Sequence, residues 1–157
     1  MTDFTSLYES FAADVFRFAL YLCGNPSDAE DITSETFVRA WTSQEEIRTE
    51  TVKGYLFTIA RNLFLKQARA ASRNVELDEN LRDSQPSAYD RVQQRAEAAA
   101  VLEAMQGLPA IDRAALIMRT FDELSYREIA QVLEITETAA KVKVHRARAS
   151  LMNIRRA

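Results

Sequence analysis

Apolar residues recur at intervals of three and four through the first 22 positions of this chain, and the same spacing returns in most later segments. That interval places side chains on one face of an α-helix. The first such face consists of Phe4, Leu7, Tyr8, Phe11, Val15, Phe18, Ala19 and Leu22. Because the 157 residues include only three Gly and three Pro, few positions favour the tight turns of a sheet. The pattern predicts an all-α fold.

The first part of the chain is expected to form three helices around one core. The segment Gly24–Pro26 ends the first helix, and Ser27–Glu30 matches a capping box that would begin the second. The third helix is expected from about Val52 to Ala71. The residues of the second helix expected to face the core are Ala29, Ile32, Thr36, Phe37, Ala40 and Trp41.

The periodicity predicts two small helical domains joined by a linker. The first domain covers residues 1–73 and the second residues 87–157. Residues 74–86 are polar, acidic and without sustained periodicity, which favours a flexible linker, although an ordered acidic loop packed on the first domain would have the same composition. In the second domain a helix ends near Gly107, and another begins at Pro109.

The last part of the chain has the pattern of a helix-turn-helix. A second capping box, Ser125–Glu128, begins a short helix that ends at Leu133, and Thr136 can cap a basic final helix. In such a motif the first residues of the second helix reach base edges, here Glu137, Thr138, Lys141 and Val142. Later cations can reach phosphates, here Lys143, Arg146 and Arg148. Basic residues near a helix end also favour the helix dipole, which is the alternative interpretation.

The charge of the chain is unevenly distributed. The formal net charge is −3, yet residues 51–75 and 138–157 contain no Asp or Glu, whereas acids are concentrated in residues 76–90. Two basic helices in an acidic molecule indicate two sites for an anionic partner, since local clusters rather than net charge define sites.

The outer side of the third helix carries most of the first basic cluster: Lys53, Arg61, Asn62, Lys66, Arg69 and Arg73. Asn62 is informative because its amide can both donate to and accept from a base edge. Tyr55 and Phe57 are candidates for stacking on bases, although aromatic residues at helical spacing more often belong to a core. The loop over residues 42–51 could supply a pocket for a base.

A charged stripe runs along the second helix. Asp28, Asp31 and Glu35 recur at one helical face, with Arg39 beside them and with Phe37 and Trp41 as apolar neighbours. The residue pattern alone is equally typical of a solvated face with acids near a helix start.

Neither a metal site nor an enzyme active site is indicated. His145 is the single histidine and is expected at the surface, and Cys23 is expected as a small buried group, with a redox switch as the alternative. The sequence has no glycine-rich phosphate loop and no nucleophile–base pair, so no catalytic residue and no cofactor are expected. A single cysteine, no signal-peptide pattern and no apolar run of spanning length predict a cytoplasmic protein without membrane insertion.

Three stretches resemble the extracytoplasmic-function (ECF) sigma factors, which are small two-domain specificity subunits of bacterial RNA polymerase. "DAEDITSETFVRAW" (28–41) is similar to the core-binding helix of sigma region 2, and "KGYLFTIARNLFLKQAR" (53–69) to the helix that reads the promoter −10 element. "LPAIDRAALIMRTFDELSYREIAQVLEITETAAKVKVHRARASL" (108–151) resembles region 4. The stretches follow the family's order and, with the first helix, cover nearly the whole chain.

The resemblance implies a transcription initiation factor without enzymatic activity. It implies that the stripe on the second helix binds core RNA polymerase, that the third helix reads the −10 element, and that the final helix reads the −35 element of promoter DNA. It also implies control by an anti-sigma factor. Two other functions fit the residues: a helix-turn-helix regulator acting without polymerase, and a helical adaptor that binds only protein.

The chain departs from the family's pattern at three places. Ser34 stands where the family often has Gln, and Glu134 stands in the helix-turn-helix break where Gly is frequent. Residues Ala139–Val142 replace a frequent Thr-Val-Lys-Ser, and the loss of two hydroxyls at that surface bears on the −35 preference.

Overall fold

The computed structural model describes residues 3–42, 49–74 and 96–156, without the side chains of residues 73, 74, 96–98 and 154–156. These ranges contain α-helices and no β-strand, which confirms the predicted all-α fold. The helices are α1 (Phe4–Cys23), α2 (Pro26–Thr42), α3 (Val52–Asn74), α4 (Ala96–Gln106), α5 (Ala110–Thr120), α6 (Tyr126–Leu133) and α7 (Glu137–Arg156). None of these helices is long and apolar enough to cross a membrane. The predicted linker lies outside the described residues except for Asn74.

Both ends of α1 are capped. The carboxylate of Asp3 accepts a hydrogen bond of 2.7 Å from the backbone N–H of Ser6. At the other end Gly24 has a left-handed backbone (φ 72°), and its N–H donates to the carbonyl of Leu20 at 2.7 Å. Glycine is suited to this position because it has no Cβ to oppose a positive φ.

The cap of α2 differs from the prediction. The side chain of Asn25 accepts from the backbone N–H of Asp28 at 3.0 Å, and Pro26 is the first helical residue. The capping box predicted at Ser27–Glu30 is therefore wrong, because Asn25 already satisfies the free N–H and proline at the first position needs no partner.

The helices α1, α2 and α3 pack around one apolar core. Phe18 and Phe57 are fully buried and stack with their ring centroids 4.4 Å apart. The predicted burial of Trp41 is wrong, since 52% of this residue is exposed and its ring meets Phe4 edge-on. Trp41 lies in the last turn of α2, beside the first turn of α1 rather than over the middle of the bundle.

The helix-turn-helix is formed by α6 and α7, as predicted. The hydroxyl of Ser125 accepts from the backbone N–H of Glu128 at 3.1 Å, and that of Thr136 accepts from Ala139 at 3.0 Å. Glu134 ends α6 with a left-handed backbone (φ 56°), where glycine would be unstrained. The second part of the box at Ser125–Glu128 is wrong, because the carboxylate of Glu128 does not return to the cap but reaches Thr51.

The N-terminal half (α1–α3) and the C-terminal half (α4–α7) pack on each other. Helix α5 contacts α1, helix α6 contacts α3, and one buried apolar cluster runs through both halves. Arg113, on α5, is buried and donates to the carbonyls of Leu22 (2.6 Å) and Leu108 (2.7 Å). The end of α1 is thereby held against the start of α5.

Gly24→Ala is expected to lower the free energy of unfolding by about 1–2 kcal/mol, because a left-handed backbone is strained for a residue with a Cβ. The new Cβ would also lie 2.8 Å from Cδ of Gln106. Urea denaturation of both variants measures the effect, with Gly107→Ala as the control. At Gly107 the nearest atom to a Cβ is the Ala104 carbonyl at 3.4 Å, and the expected change is within about 0.5 kcal/mol. Equal losses in both variants would contradict the role of the left-handed turn.

Candidate functional site

Helix α7 presents one face to solvent. Ala140, Val144 and Ala147 are fully buried against the rest of the C-terminal half. Because these positions recur at helical spacing, the residues between them point outward. The exposed residues include all four predicted base-edge positions, Glu137, Thr138, Lys141 and Val142, together with His145 and Arg148. The structure therefore places the predicted reading residues on one accessible surface.

A tyrosine lies beside the start of this surface. The guanidinium of Arg119 is 4.3 Å from the ring centroid of Tyr126, and Nζ of Lys141 is 5.9 Å from the same centroid. Both distances fit cation–π contacts, which orient Lys141 at the first turns of α7. Sequence reasoning missed Arg119 and Tyr126, because the contact joins three helices that are separated along the chain.

Two of the three predicted phosphate-binding cations are paired within the protein. Nε and Nη2 of Arg146 donate to the two carboxylate oxygens of Asp112 at 2.7 and 2.8 Å. Lys143 Nζ lies 4.0 Å from Oδ1 of the same carboxylate, which is 1% exposed. A buried carboxylate requires such partners, so Lys143 and Arg146 have a structural role in this form of the molecule. Arg148 remains exposed.

The basic residues of α3 divide into two groups. Asn62, Lys66 and Arg69 are exposed and recur at the spacing of one face. Lys53 is partly buried, with Nζ 3.3 Å from Oδ2 of Asp14 and 3.5 Å from Oδ1 of Asp122. The predicted −10 surface is thus accessible along the later turns of α3 and covered at its start.

Arg61 lies between the halves. It borders a small apolar cavity of about 130 Å³ that is also lined by Leu22, Phe64, Leu65, Ala110, Ile111 and Ala114. Burial lowers the pKa of Arg61, and the nearby carboxylate of Glu134 opposes that shift. The side chain of Arg73, the last of the basic residues predicted on α3, is among those that the structure does not describe.

The aromatic residues of α3 face inward. Phe57 is fully buried against Phe18, which supports the core position over stacking on bases. Tyr55 is half-buried and packs against the core. The loop over residues 42–51 is described only at Thr42 and residues 49–51, and the predicted base pocket there falls mainly on undescribed residues.

The charged stripe of α2 borders an open cleft. Asp28, Asp31 and Glu35 are exposed, and Nε of Arg39 donates to Oε1 of Glu35 at 3.0 Å. Burial raises the pKa of Asp28, and the neighbouring Asp31 adds to the shift. The cleft, of about 380 Å³, lies between α2 and α3 and is lined by Asp31, Ile32, Ser34, Glu35, Val38, Leu63, Lys66 and Gln67. Phe37 is 1% exposed, so its side chain lies beneath this stripe, and its role in binding polymerase stays a prediction.

No group of three or more His, Cys, Asp and Glu side chains is placed to hold a metal ion within the residues described. His145 lies at the surface, as predicted. Cys23 is half-buried, and its thiol donates to the carbonyl of Asn25 at 3.3 Å. Burial raises the pKa of Cys23, which disfavours the reactive thiolate.

Two family descriptions match the chain. Sigma-70 region 2 matches residues 7–74, which include α2, α3 and most of α1, and Sigma-70, region 4 matches residues 98–151. The chain is 32% identical to the ECF RNA polymerase sigma factor SigM of Bacillus subtilis, over 92% of this chain and 90% of SigM. It is 33% identical to the ECF sigma factor SigL of Mycobacterium tuberculosis, over 89% of this chain and 81% of SigL. The match to the ECF sigma factor SigE of Mycolicibacterium smegmatis, at 32% identity, covers 96% of this chain but only 61% of SigE.

Two solved structures share the fold. The sigma factor RpoE of Bartonella quintana, determined in complex with the anti-sigma factor NepR, aligns with a TM-score of 0.79 and 24% identity, over 100% of this chain and 99% of RpoE. CnrH, determined in complex with the cytosolic domain of CnrY, aligns with a TM-score of 0.70 and 21% identity, over 96% of this chain and 86% of CnrH.

Arg146→Ala is expected to lower the midpoint of urea unfolding, because it removes two hydrogen bonds from the buried carboxylate of Asp112. Arg148→Ala removes the same side chain type from the same helix at an exposed position, and its midpoint should stay at that of the unchanged protein. If both variants unfold at the same urea concentration, the pairing of Arg146 with Asp112 is not a stabilising contact.

Proposed function

The chain belongs to the extracytoplasmic-function family of RNA polymerase sigma factors, and from this premise we propose that it binds core RNA polymerase and directs it to promoters. In this proposal α3 reads the −10 element and α7 reads the −35 element. The observation that carries it is the match of regions 2 and 4 in order along one chain, each with an exposed polar or basic face on the expected helix. Sigma factors are transcription initiation factors and not enzymes.

The −35 element is assigned to the outward face of α7. Thr138, Lys141 and Val142 lie in its first turns, where side chains of a recognition helix reach base edges in the major groove. Lys141 can pair with O6 and N7 of guanine, and the exposed Val142 can contact a thymine methyl group. Arg148 lies further along the helix and meets phosphate.

The −10 element is assigned to the strip of Asn62, Lys66 and Arg69. The amide of Asn62 can donate to and accept from the edge of an unpaired base, and the two cations can follow the backbone of a single strand. All three are exposed. Lys53 and Arg61, by contrast, are partly buried.

Core polymerase is assigned to the outer stripe of α2. Asp28, Asp31 and Glu35 supply negative charge, and the half-exposed ring of Trp41 supplies apolar area at the end of the same helix. Phe37 supports this surface from below, since its ring packs edge-on against Tyr8 at 5.0 Å.

Further partners and the location follow from the same proposal. RpoE was determined in complex with the anti-sigma factor NepR, and CnrH in complex with the cytosolic domain of CnrY, and we assign an anti-sigma factor to this chain as well. Its site of action is the cytoplasm, where core polymerase and promoter DNA are found. No cofactor is assigned.

Run-off transcription with core polymerase on genomic fragments tests the proposal. Promoter-specific transcripts that depend on the added chain would support it, and their start sites would give the −10 and −35 sequences. Tight and sequence-specific binding to duplex DNA by the chain alone, without such transcripts, would instead indicate a regulator. A complete lack of salt-dependent DNA binding, even with polymerase, would indicate a protein adaptor.

Asp31→Arg with Glu35→Arg is expected to reduce the affinity for core polymerase while the fold is kept. Both residues are exposed, and surface substitutions usually change stability by less than about 0.5 kcal/mol. Fluorescence titration with core polymerase measures the affinity. Glu103→Arg on α4 is the control, since it reverses an exposed acid in the other half. Unchanged affinity in the double variant would remove the stripe from the interface.

Lys141→Ala and Arg148→Ala are expected to have different effects on −35 recognition. Lys141→Ala should change the preference among −35 variants, because a guanine contact contributes about 1–3 kcal/mol of discrimination. Arg148→Ala should weaken all variants about equally and reduce the salt slope by roughly one unit. Holoenzyme binding to a set of −35 mutants at several salt concentrations measures both. A uniform loss with Lys141→Ala would mean that α7 contacts only the DNA backbone.

A further inference from the structure

A buried carboxylate from another helix lies behind the outward face of α7. Asp112 belongs to the first turn of α5, and helices α5 and α7 pack against each other. Nε and Nη2 of Arg146 donate to the two oxygens of this carboxylate at 2.7 and 2.8 Å. Asp112 therefore holds the guanidinium of Arg146 by two hydrogen bonds, which fix both its position and its orientation.

The pairing with Asp112 does not bury Arg146. The side chain of Arg146 is 55% exposed, whereas that of Asp112 is 1% exposed. Val142 and Arg146 are both exposed and lie four positions apart, so they are neighbours on one face of the helix. Because Val142 belongs to the face assigned to the −35 element, the exposed part of the Arg146 guanidinium borders the same surface.

The guanidinium of Arg146 has a second edge that can bind another anion. An arginine presents five N–H donors in a fixed planar fork. Asp112 binds the side formed by Nε and Nη2, which leaves the end formed by Nη1 and the other hydrogen of Nη2 outside this contact. Two parallel N–H groups match two oxygens of a phosphate. The same arginine can therefore bind Asp112 and a DNA phosphate together.

A second cation keeps this cluster positive. Nζ of Lys143 lies 4.0 Å from Oδ1 of Asp112, so one carboxylate faces two cations. The first turn of α5 also favours a carboxylate, because the free N–H groups of a helix start carry partial positive charge. Asp112 can thus orient Arg146 without cancelling the attraction of the cluster for phosphate.

The orientation of Arg146 affects affinity because an unrestrained arginine side chain is flexible. Ordering one such side chain at an interface reduces the affinity by about two- to tenfold. Two hydrogen bonds to a carboxylate on a packed helix order the guanidinium before DNA is bound. Asp112 thereby removes much of the ordering cost from a contact that it does not itself make.

We propose that Asp112 is a positioning residue for −35 recognition, which holds the guanidinium of Arg146 so that its outer edge binds a promoter phosphate. Arg146 lies nine residues after Glu137, the first residue of α7, whereas base edges are reached from the first turns of a recognition helix. A phosphate contact there fixes the orientation of α7 on the duplex without reading its sequence. This inference rests on the proposed role of α7 in binding the −35 element.

The test neutralises Asp112 in the full chain bound to core polymerase. Binding of this holoenzyme to a promoter fragment is measured at several salt concentrations for Asp112→Asn and for Glu103→Gln, which removes the same charge at an exposed residue of α4. The loss of a negative charge by itself favours DNA binding in both variants. If Asp112 positions Arg146, Asp112→Asn should instead bind about two- to tenfold more weakly, with a salt slope reduced by roughly one unit.

Two results of this comparison would overturn the proposal. Binding by Asp112→Asn as tight as that of Glu103→Gln, or tighter, would mean that the carboxylate only opposes DNA binding through its charge. Weaker binding with an unchanged salt slope would mean that no phosphate contact is lost and that Asp112 only stabilises the fold.

Double variants show whether Asp112 acts through Arg146. When Arg146 is already replaced by alanine, Asp112→Asn has no guanidinium to release and should weaken binding no further. When Arg148 is replaced by alanine instead, the loss caused by Asp112→Asn should remain in full. Equal losses in the two backgrounds would contradict the proposal, because Asp112 would then act on α7 as a whole.

Arg146→Lys serves if Asp112→Asn loses its helical circular dichroism. Lysine keeps the positive charge but lacks the planar fork, so it cannot form the same pair of hydrogen bonds with Asp112. Arg146→Lys should weaken holoenzyme binding by about two- to tenfold, and Arg148→Lys, the same change at another exposed position of α7, should weaken it less. Equal losses would overturn the proposal.

Run-off transcription with core polymerase separates this inference from the proposed function. Transcripts that depend on the −35 sequence, together with an unchanged affinity and salt slope in Asp112→Asn, would reject the positioning role alone. A lack of promoter-specific transcripts from the unchanged chain would reject the sigma-factor role itself.

Discussion

The buried guanidinium of Arg113 sets how the two halves of this molecule meet. It donates to the carbonyl of Leu22 at the end of α1 and to that of Leu108 just before α5, and it lies 6.0 Å from the ring centroid of Phe64. The carbonyl end of a helix carries partial negative charge, so a cation can be buried there at reduced cost. Burial lowers the pKa of Arg113, but arginine stays protonated in proteins. With α1 held against α5, the next helix, α6, lies over α3.

In this arrangement the two candidate DNA-reading helices differ in how much of their polar face is exposed to solvent. Helix α7 buries Ala140, Val144 and Ala147 and leaves its reading face in solvent. Helix α3 is exposed along its later turns, whereas Lys53 at its start is paired with Asp14 of the same half and Asp122 of the other half.

The sequence predictions were wrong where a side chain contacts a residue that lies far away in the chain. The local pattern predicted that Glu128 would return to its own cap, but Thr51, 77 positions away, receives its carboxylate. Phe37 and Phe57 were compatible with either a core or a surface, and packing against Tyr8 and Phe18 placed both inside. Arg146 was predicted to bind phosphate; its guanidinium pairs with the buried Asp112 in this structure, and its contact with DNA stays a prediction. None of these outcomes has a signal in the local spacing.

The sequence by itself determined the helices, their order and the two regions of the family. The helical periodicity and the scarcity of Gly and Pro can be read directly from the sequence. The caps Asp3, Ser125 and Thr136 can be predicted in the same way, because each bonds to a backbone N–H only three residues away. Only the tertiary structure decided that Asp122 and Glu128 meet the start of α3 and that Trp41 stays half-exposed. These outcomes depend on how the two halves pack, and the free energy of that packing comes from burial and ion pairing summed over contacts that lie far apart in the chain.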